Sequence, residues 1–140
     1  MAGMVPSVKR SVLACLAGVL TWVVVASLIN RLLRVTLTGY SAAEHTEQFT
    51  LVMKWARLLM AFVTSLAAGA VTQRVAPAGR WAPWAVGCIA LAIFVPLHIS
   101  IWSHFPAWYH LTFLLSLLPA VLIGARLAGQ LLGLDRKLDE

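Results

Sequence analysis

Acidic residues are scarce in this sequence: five Asp and Glu stand among 140 residues, and Glu44, Glu47, Asp135, Asp139 and Glu140 all lie outside the apolar runs. No carboxylate therefore sits at the middle of a hydrophobic stretch. That absence argues against a proton-coupled cation exporter, whose membrane-embedded carboxylate trades protons for substrate. Charged residues of both signs make up 11% of the chain, against about 25% in a soluble domain. With 61% hydrophobic residues and a mean hydropathy of +0.86, so short a chain cannot cover its core with polar surface. It reads as an all-α integral membrane protein.

Cysteine is equally sparse. Cys15 and Cys88 each fall inside an apolar run and form no CxxC pair, so neither a zinc site nor a redox motif is indicated. They read as small hydrophobes. A lipoprotein-type cleavage site at Val12–Cys15 is excluded because the apolar run follows the cysteine instead of preceding it. The stretch Ser11–Asn30 has 20 residues without a charge, longer than the ~7 to 15 apolar residues of a cleaved signal. A retained signal anchor fits it better.

Bases outnumber acids, 11 − 5 = +6. They are not gathered on one amphipathic face but sit mostly at the ends of apolar runs, where headgroups and positive-inside bias place them. Nucleic acid is not the expected partner; the lipid bilayer is.

A membrane-crossing helix needs about 20 apolar residues, and Ser11–Asn30 supplies one. Leu58–Gln73 has 16 charge-free residues and borrows from the side of Lys54 and Arg57 to span. From Trp81 to Ala125 there are 45 residues with no Lys, Arg, Asp or Glu, enough for two spans. Ser103-His104-Phe105-Pro106 marks their turn, since proline disfavours helix before it and cannot donate within one. The expectation is a single domain over 1–140, a bundle of four antiparallel transmembrane helices near 11–30, 52–73, 83–102 and 108–126. An outer loop covers 31–51 and a helical tail with Gly129 and Gly133 covers 127–140. Ser41-Ala42-Ala43-Glu44 matches a capping box, which would start the second helix near 41 and give it a length of roughly 48 Å to Gln73.

Charges on the two sides fix a direction. Lys9, Arg10, Arg74, Arg80, Arg126, Arg136 and Lys137 are seven on the side of the termini; Arg31, Arg34, Lys54 and Arg57 are four on the other. Both termini are thus expected in the cytoplasm. Trp102, Trp108 and Tyr109 flank the base-free turn as an outer aromatic belt, and Trp81 and Trp84 mark the inner interface.

Apolar side chains gain nothing by leaving lipid for one another, so membrane helices associate through small residues. Ala14 and Gly18, then Ala61, Ser65 and Gly69, then Ala120, Gly124 and Ala128 recur at four-residue steps. These stripes are expected to form the bundle seam or a homo-oligomer contact. Arg57 lies on the face of the second stripe, with Lys54 near the same line; the pair is a candidate anion site or ion-pair partner for Glu44 or Glu47. Snorkelling of both bases to the interface is the favoured alternative.

Four histidines, His45, His98, His104 and His110, fall on the outer side, three of them six residues apart. Pro96 frees a backbone carbonyl near His98. Imidazole is the commonest metal ligand and titrates near neutral pH, so these are the candidates for a metal, haem or proton-sensing site. No HExxH or paired His/Cys spacing accompanies them, and amphipathic interface residues are the plainer reading.

Residues 104–129, HFPAWYHLTFLLSLLPAVLIGARLAG, resemble a family of small four-span bacterial inner-membrane proteins that carries no assigned activity. The matching positions are His104, Pro106, Trp108, Tyr109, Pro119, Gly124, Arg126 and Leu127. The resemblance implies the topology and a bacterial inner-membrane address, and adds no catalytic residue.

Three functions are thus set against one another. The first is a non-catalytic subunit, scaffold or modulator packing against itself or a larger membrane complex. The second is an outer-face site for a metal, haem, quinone or other small molecule, built from His98, His104, His110 and Arg57. The third is a small oligomeric transporter. No motif names a cofactor or a reaction.

Overall fold

The computed structural model describes residues 8–78 and 80–138, with side chains to residue 133. The tail acids Asp139 and Glu140, and the side chains of Asp135, Arg136 and Lys137, lie outside the described residues. Every regular element described is helical: α1 (Val8–Thr36), α2 (Tyr40–Thr46), α3 (Leu51–Val75), α4 (Ala82–Ser100) and α5 (Ala107–Leu138), with a 3-10 turn at Trp102–His104. α1, α3, α4 and α5 are each long and apolar enough to cross a membrane. The fold is an all-α, multi-pass membrane bundle.

Two expectations about the segment 31–51 are corrected. It is not an open loop: α1 continues to Thr36 and α2 occupies Tyr40–Thr46. Nor does Ser41 cap the second long helix, because Tyr40 is already helical behind the N-cap Gly39, which makes no side-chain cap bond. The cap of α3 is Thr50, whose side chain accepts from the Met53 backbone N–H. Left-handed residues bracket α2, Gly39 at φ 80 and Glu47 at φ 58, and they set it off from the flanking spans.

Successive spans run antiparallel. α3 packs most extensively on α5, then on α1; α4 packs on α5 and less on α1; α3 and α4 touch little. Two helices that point the same way, α3 and α5, are thus the closest neighbours. Small residues explain this. A Cβ on Gly69 would lie 1.9 Å from the Val121 carbonyl oxygen, and one on Gly124 would lie 2.0 Å from that of Leu66, so the two backbones touch where lipid offers no competing hydrophobic drive. All eight stripe residues, from Ala14 and Gly18 to Ala120, Gly124 and Ala128, are buried. Polar contacts reinforce the packing: Trp22 Nε1 donates to Ser65 Oγ at 3.1 Å, joining α1 to α3.

Two apolar clusters fill the interior. One, at the end bearing α2, gathers Tyr40, Phe49, Leu58, Phe105, Tyr109 and Phe113. The other, at the end bearing the termini, centres on Ala14, Ala68, Val86 and Val121, where Arg10 Nε donates to the Val75 carbonyl at 2.7 Å.

Candidate functional site

The α2 end concentrates the polar chemistry of the chain. Arg57 enters from α3, one turn before Ala61, on the face that packs toward α5. Its Nε donates to the Tyr109 hydroxyl and one terminal nitrogen to the Tyr40 hydroxyl, each at 3.2 Å. The guanidinium also lies 4.6 Å over the Phe49 ring, a cation–π contact. Arg57 therefore turns inward, and the snorkelling expected for it is not seen. Lys54, half-buried on the same helix, makes no hydrogen bond or ion pair among the described residues, so the two bases do not form one site.

From Arg57 the network runs through α2 to α1. The Tyr40 hydroxyl, accepting from Arg57, donates to Asn30 Oδ1 at 2.9 Å. Asn30 Nδ2 donates to Glu44 Oε1 at 2.9 Å, and Arg34 Nε to Glu44 Oε2 at 2.6 Å. Burial alone would lift the Glu44 carboxyl, but the donors Asn30 and Arg34, aided by the more distant charge of Arg57, outweigh it and hold its pKa below the ordinary carboxylate range. Burial likewise raises the Tyr40 hydroxyl above its usual value, against the pull of Arg57. Tyr40 thus stays a neutral donor to Asn30 while accepting from a cation. Arg57 reaches Glu44 only through Tyr40 and Asn30, so the expected direct ion pair is replaced by a relay.

Beside this relay, His98 of α4 and His110 of α5 meet. Their Nδ1 atoms are 2.8 Å apart, and His110 Nε2 lies 3.3 Å from the Trp102 carbonyl oxygen. A carbonyl only accepts, so His110 Nε2 carries hydrogen; in the neutral pair its Nδ1 then accepts and His98 Nδ1 donates. His98 Nε2 is left with a lone pair. Both residues are buried among rings: His98 sits 4.4 Å from Phe113 and 6.0 Å from Tyr109 between centroids, and His110 stacks on Trp102 at 4.5 Å.

The four candidate histidines do not converge as a set. His104, exposed at the tip of the α4–α5 turn, pairs with Glu47 and so ties that turn to the C-terminal end of α2. His45 is exposed on α2, without a partner among the described residues. No group of three His, Cys, Asp or Glu side chains placed to hold a metal ion occurs among the described residues. Two imidazoles that bond each other through Nδ1 also cannot offer those same atoms to a metal.

No known protein family, curated protein or solved structure matches this chain. Geometry therefore carries the functional argument. Neither the His98–His110 pair nor the Arg57 relay lines any of three surface clefts. An apolar groove of about 200 Å³ lies between α1 and α4, lined by Val19, Trp22, Val86 and Phe94. A second cleft, with both polar and apolar walls, opens between the start of α4 and α5. The third follows α3 and α5 past Ala70, Arg74 and Leu127.

Sequence reasoning missed Asn30, Tyr40 and Phe49. Nothing in the text around Tyr40 distinguishes it from a surface aromatic, because its role depends on α2 folding back over the bundle.

Proposed function

We propose that this chain is a non-catalytic subunit, scaffold or modulator of the bacterial inner membrane, with both termini in the cytoplasm and the α2 end outside. One observation carries the reading: in the buried network at the α2 end, Arg57, His110 and Glu44 are spent on neighbouring groups of the same chain. Arg57 is shared between two tyrosines, His110 between His98 and a backbone carbonyl, and Glu44 between Asn30 and Arg34. A buried network satisfied in this way rigidifies a structure and specifies its packing. The membrane address and orientation rest on the distribution of bases between the two ends.

The test is the mass of the particle extracted from native membranes directly into polymer-bounded discs. A defined assembly, homo-oligomeric or with a second chain, is expected; a lone 15.2 kDa chain would overturn the subunit reading. Orientation is tested with a membrane-impermeant maleimide on intact cells, using Ser103→Cys and Ala78→Cys in a background lacking Cys15 and Cys88. Labelling at position 103 and protection at 78 is expected.

A second reading keeps a small-molecule, metal or haem site at the α2 end, and the lone pair on His98 Nε2 favours it. Metal content and the absorption spectrum of the purified protein, compared with His98→Ala and His110→Ala, decide between the two. Stoichiometric metal or a haem band lost in either variant would replace the first reading by the second.

A further inference from the structure

The cleft between the start of α4 and α5 has a volume of about 310 Å³ and carries Arg80 on one wall and Arg126 on the other. Gln73 and Trp84 also line it, and Leu122 contributes an apolar surface. Among the described residues, no hydrogen bond or ion pair involves the Arg80 or Arg126 side chain. Gln73 is fixed by donating from Nε2 to the Pro77 carbonyl at 2.8 Å, which leaves its second amide N–H and its side-chain oxygen.

The charge around the cleft is one-sided. Of the chain's five acids, Glu44 and Glu47 are at the α2 end and Asp135, Asp139 and Glu140 are in the last six residues. Along α5, Asp135 stands nine residues beyond Arg126, roughly 14 Å of helix, which exceeds the screening length of about 8 Å at physiological salt. Two guanidinium groups thus face one cleft whose lining holds no carboxylate among the described residues. A guanidinium presents planar paired donors that match phosphate oxygens. Trp81 and Trp84 place the cleft at the depth of an interfacial aromatic belt, where a headgroup phosphate lies and where a basic pocket between helices recognises anionic lipid.

We propose that this cleft binds the phosphate of an anionic phospholipid headgroup, with Arg80 and Arg126 as its cationic arms and Leu122 against the start of the acyl chains. Gly129 also lines the cleft, and a Cβ there would meet only Gln73 Cγ, at 3.8 Å. The site is independent of the α2-end network and of the subunit reading.

The experiment is native mass spectrometry of the full chain in detergent, titrated separately with phosphatidylglycerol and phosphatidylcholine, and with phosphatidylglycerol in the presence of inorganic phosphate. Phosphatidylglycerol is expected to bind at least about tenfold more tightly than phosphatidylcholine. Each of Arg80→Gln and Arg126→Gln should weaken phosphatidylglycerol about fivefold, and the pair roughly 30-fold, the scale of basic side chains at an anionic surface. Arg74→Gln, a base on another cleft of the same end, should leave binding within about twofold, and circular dichroism checks that each variant is folded. Equal binding of the two lipids, or a double variant that binds like the parent, would overturn the proposal. Competition by millimolar inorganic phosphate would assign the cleft to a free anion and overturn the lipid assignment.

Discussion

His98 and His110 meet Nδ1 to Nδ1 at 2.8 Å across the α4–α5 hairpin, both buried, with Trp102 closing the far side of His110 through its backbone carbonyl. The bond is direct and its environment apolar, so removing one ring strands the other nitrogen without water to replace the partner. His98→Ala and His110→Ala should each destabilise the bundle by about 2 to 3 kcal/mol, including the cavity left behind. The double variant should cost less than the sum by about 1 kcal/mol or more, the range of directly interacting pairs. Reversible unfolding in mixed micelles measures this; additive losses would mean that the two imidazoles do not interact.

Arg57 joins three elements at once, through Tyr40 of α2, Tyr109 of α5 and its own place on α3. Hydrogen bonds from a charged donor are worth about 1.5 to 3 kcal/mol each. Arg57→Met should therefore loosen α2 in particular, with amide exchange over residues 40–46 rising well above its rise in the spans. Arg57→Lys keeps the charge but lacks the planar fork that reaches two hydroxyls, so it should fall between the two. Equal protection of α2 in all three proteins would show that the arginine does not hold it.

Glu44 makes the strapping of α2 sensitive to acid. Its folded-state pKa lies below the ordinary carboxylate range, so its contribution is complete at neutral pH and is lost as the pH falls through that range toward the folded-state value. The melting temperature should drop between about pH 7 and pH 3.5, and Glu44→Gln should flatten that part of the curve while lowering stability at neutral pH. An unchanged acid limb in Glu44→Gln would place the acid sensitivity elsewhere.

The spans were legible because charge is confined to their ends, and Arg57 could be put on the small-residue face by counting turns from Ala61, Ser65 and Gly69. Its inward direction could not, because the hydroxyls that receive it come from residues 17 and 52 positions away. The histidine spacing misled in a similar way. Equal steps of six suggested three equivalent rings, yet the hairpin brings the outer two together and leaves His104 at its tip, where Glu47 meets it. Ser41 fitted a four-residue template that is short enough to occur inside a helix. Thr50, the actual cap of α3, has Met53 three residues on and so lacks the reciprocal Glu that the template requires. The apposition of α3 and α5 depends on the order of helices around the bundle, which local patterns do not encode.

That apposition ranks the glycines. At Gly69 and Gly124 an added Cβ would run into backbone, the Val121 and Leu66 carbonyls, at 1.9 and 2.0 Å; backbone cannot rotate away, so the helices must part along the whole seam. At Gly87 the first obstacle is the Leu118 Cδ1 at 2.3 Å, the end of a side chain that can change rotamer. At Gly133 nothing lies within 4 Å. Alanine should therefore cost about 3 kcal/mol or more at positions 69 and 124, roughly 1 kcal/mol at 87, and nothing at 133, where alanine is the better helix former. Thermal unfolding of the four variants in one detergent gives the order. If Gly69→Ala and Gly133→Ala melted alike, α3 and α5 would not be in backbone contact, and the small residues would have to serve a contact outside the bundle.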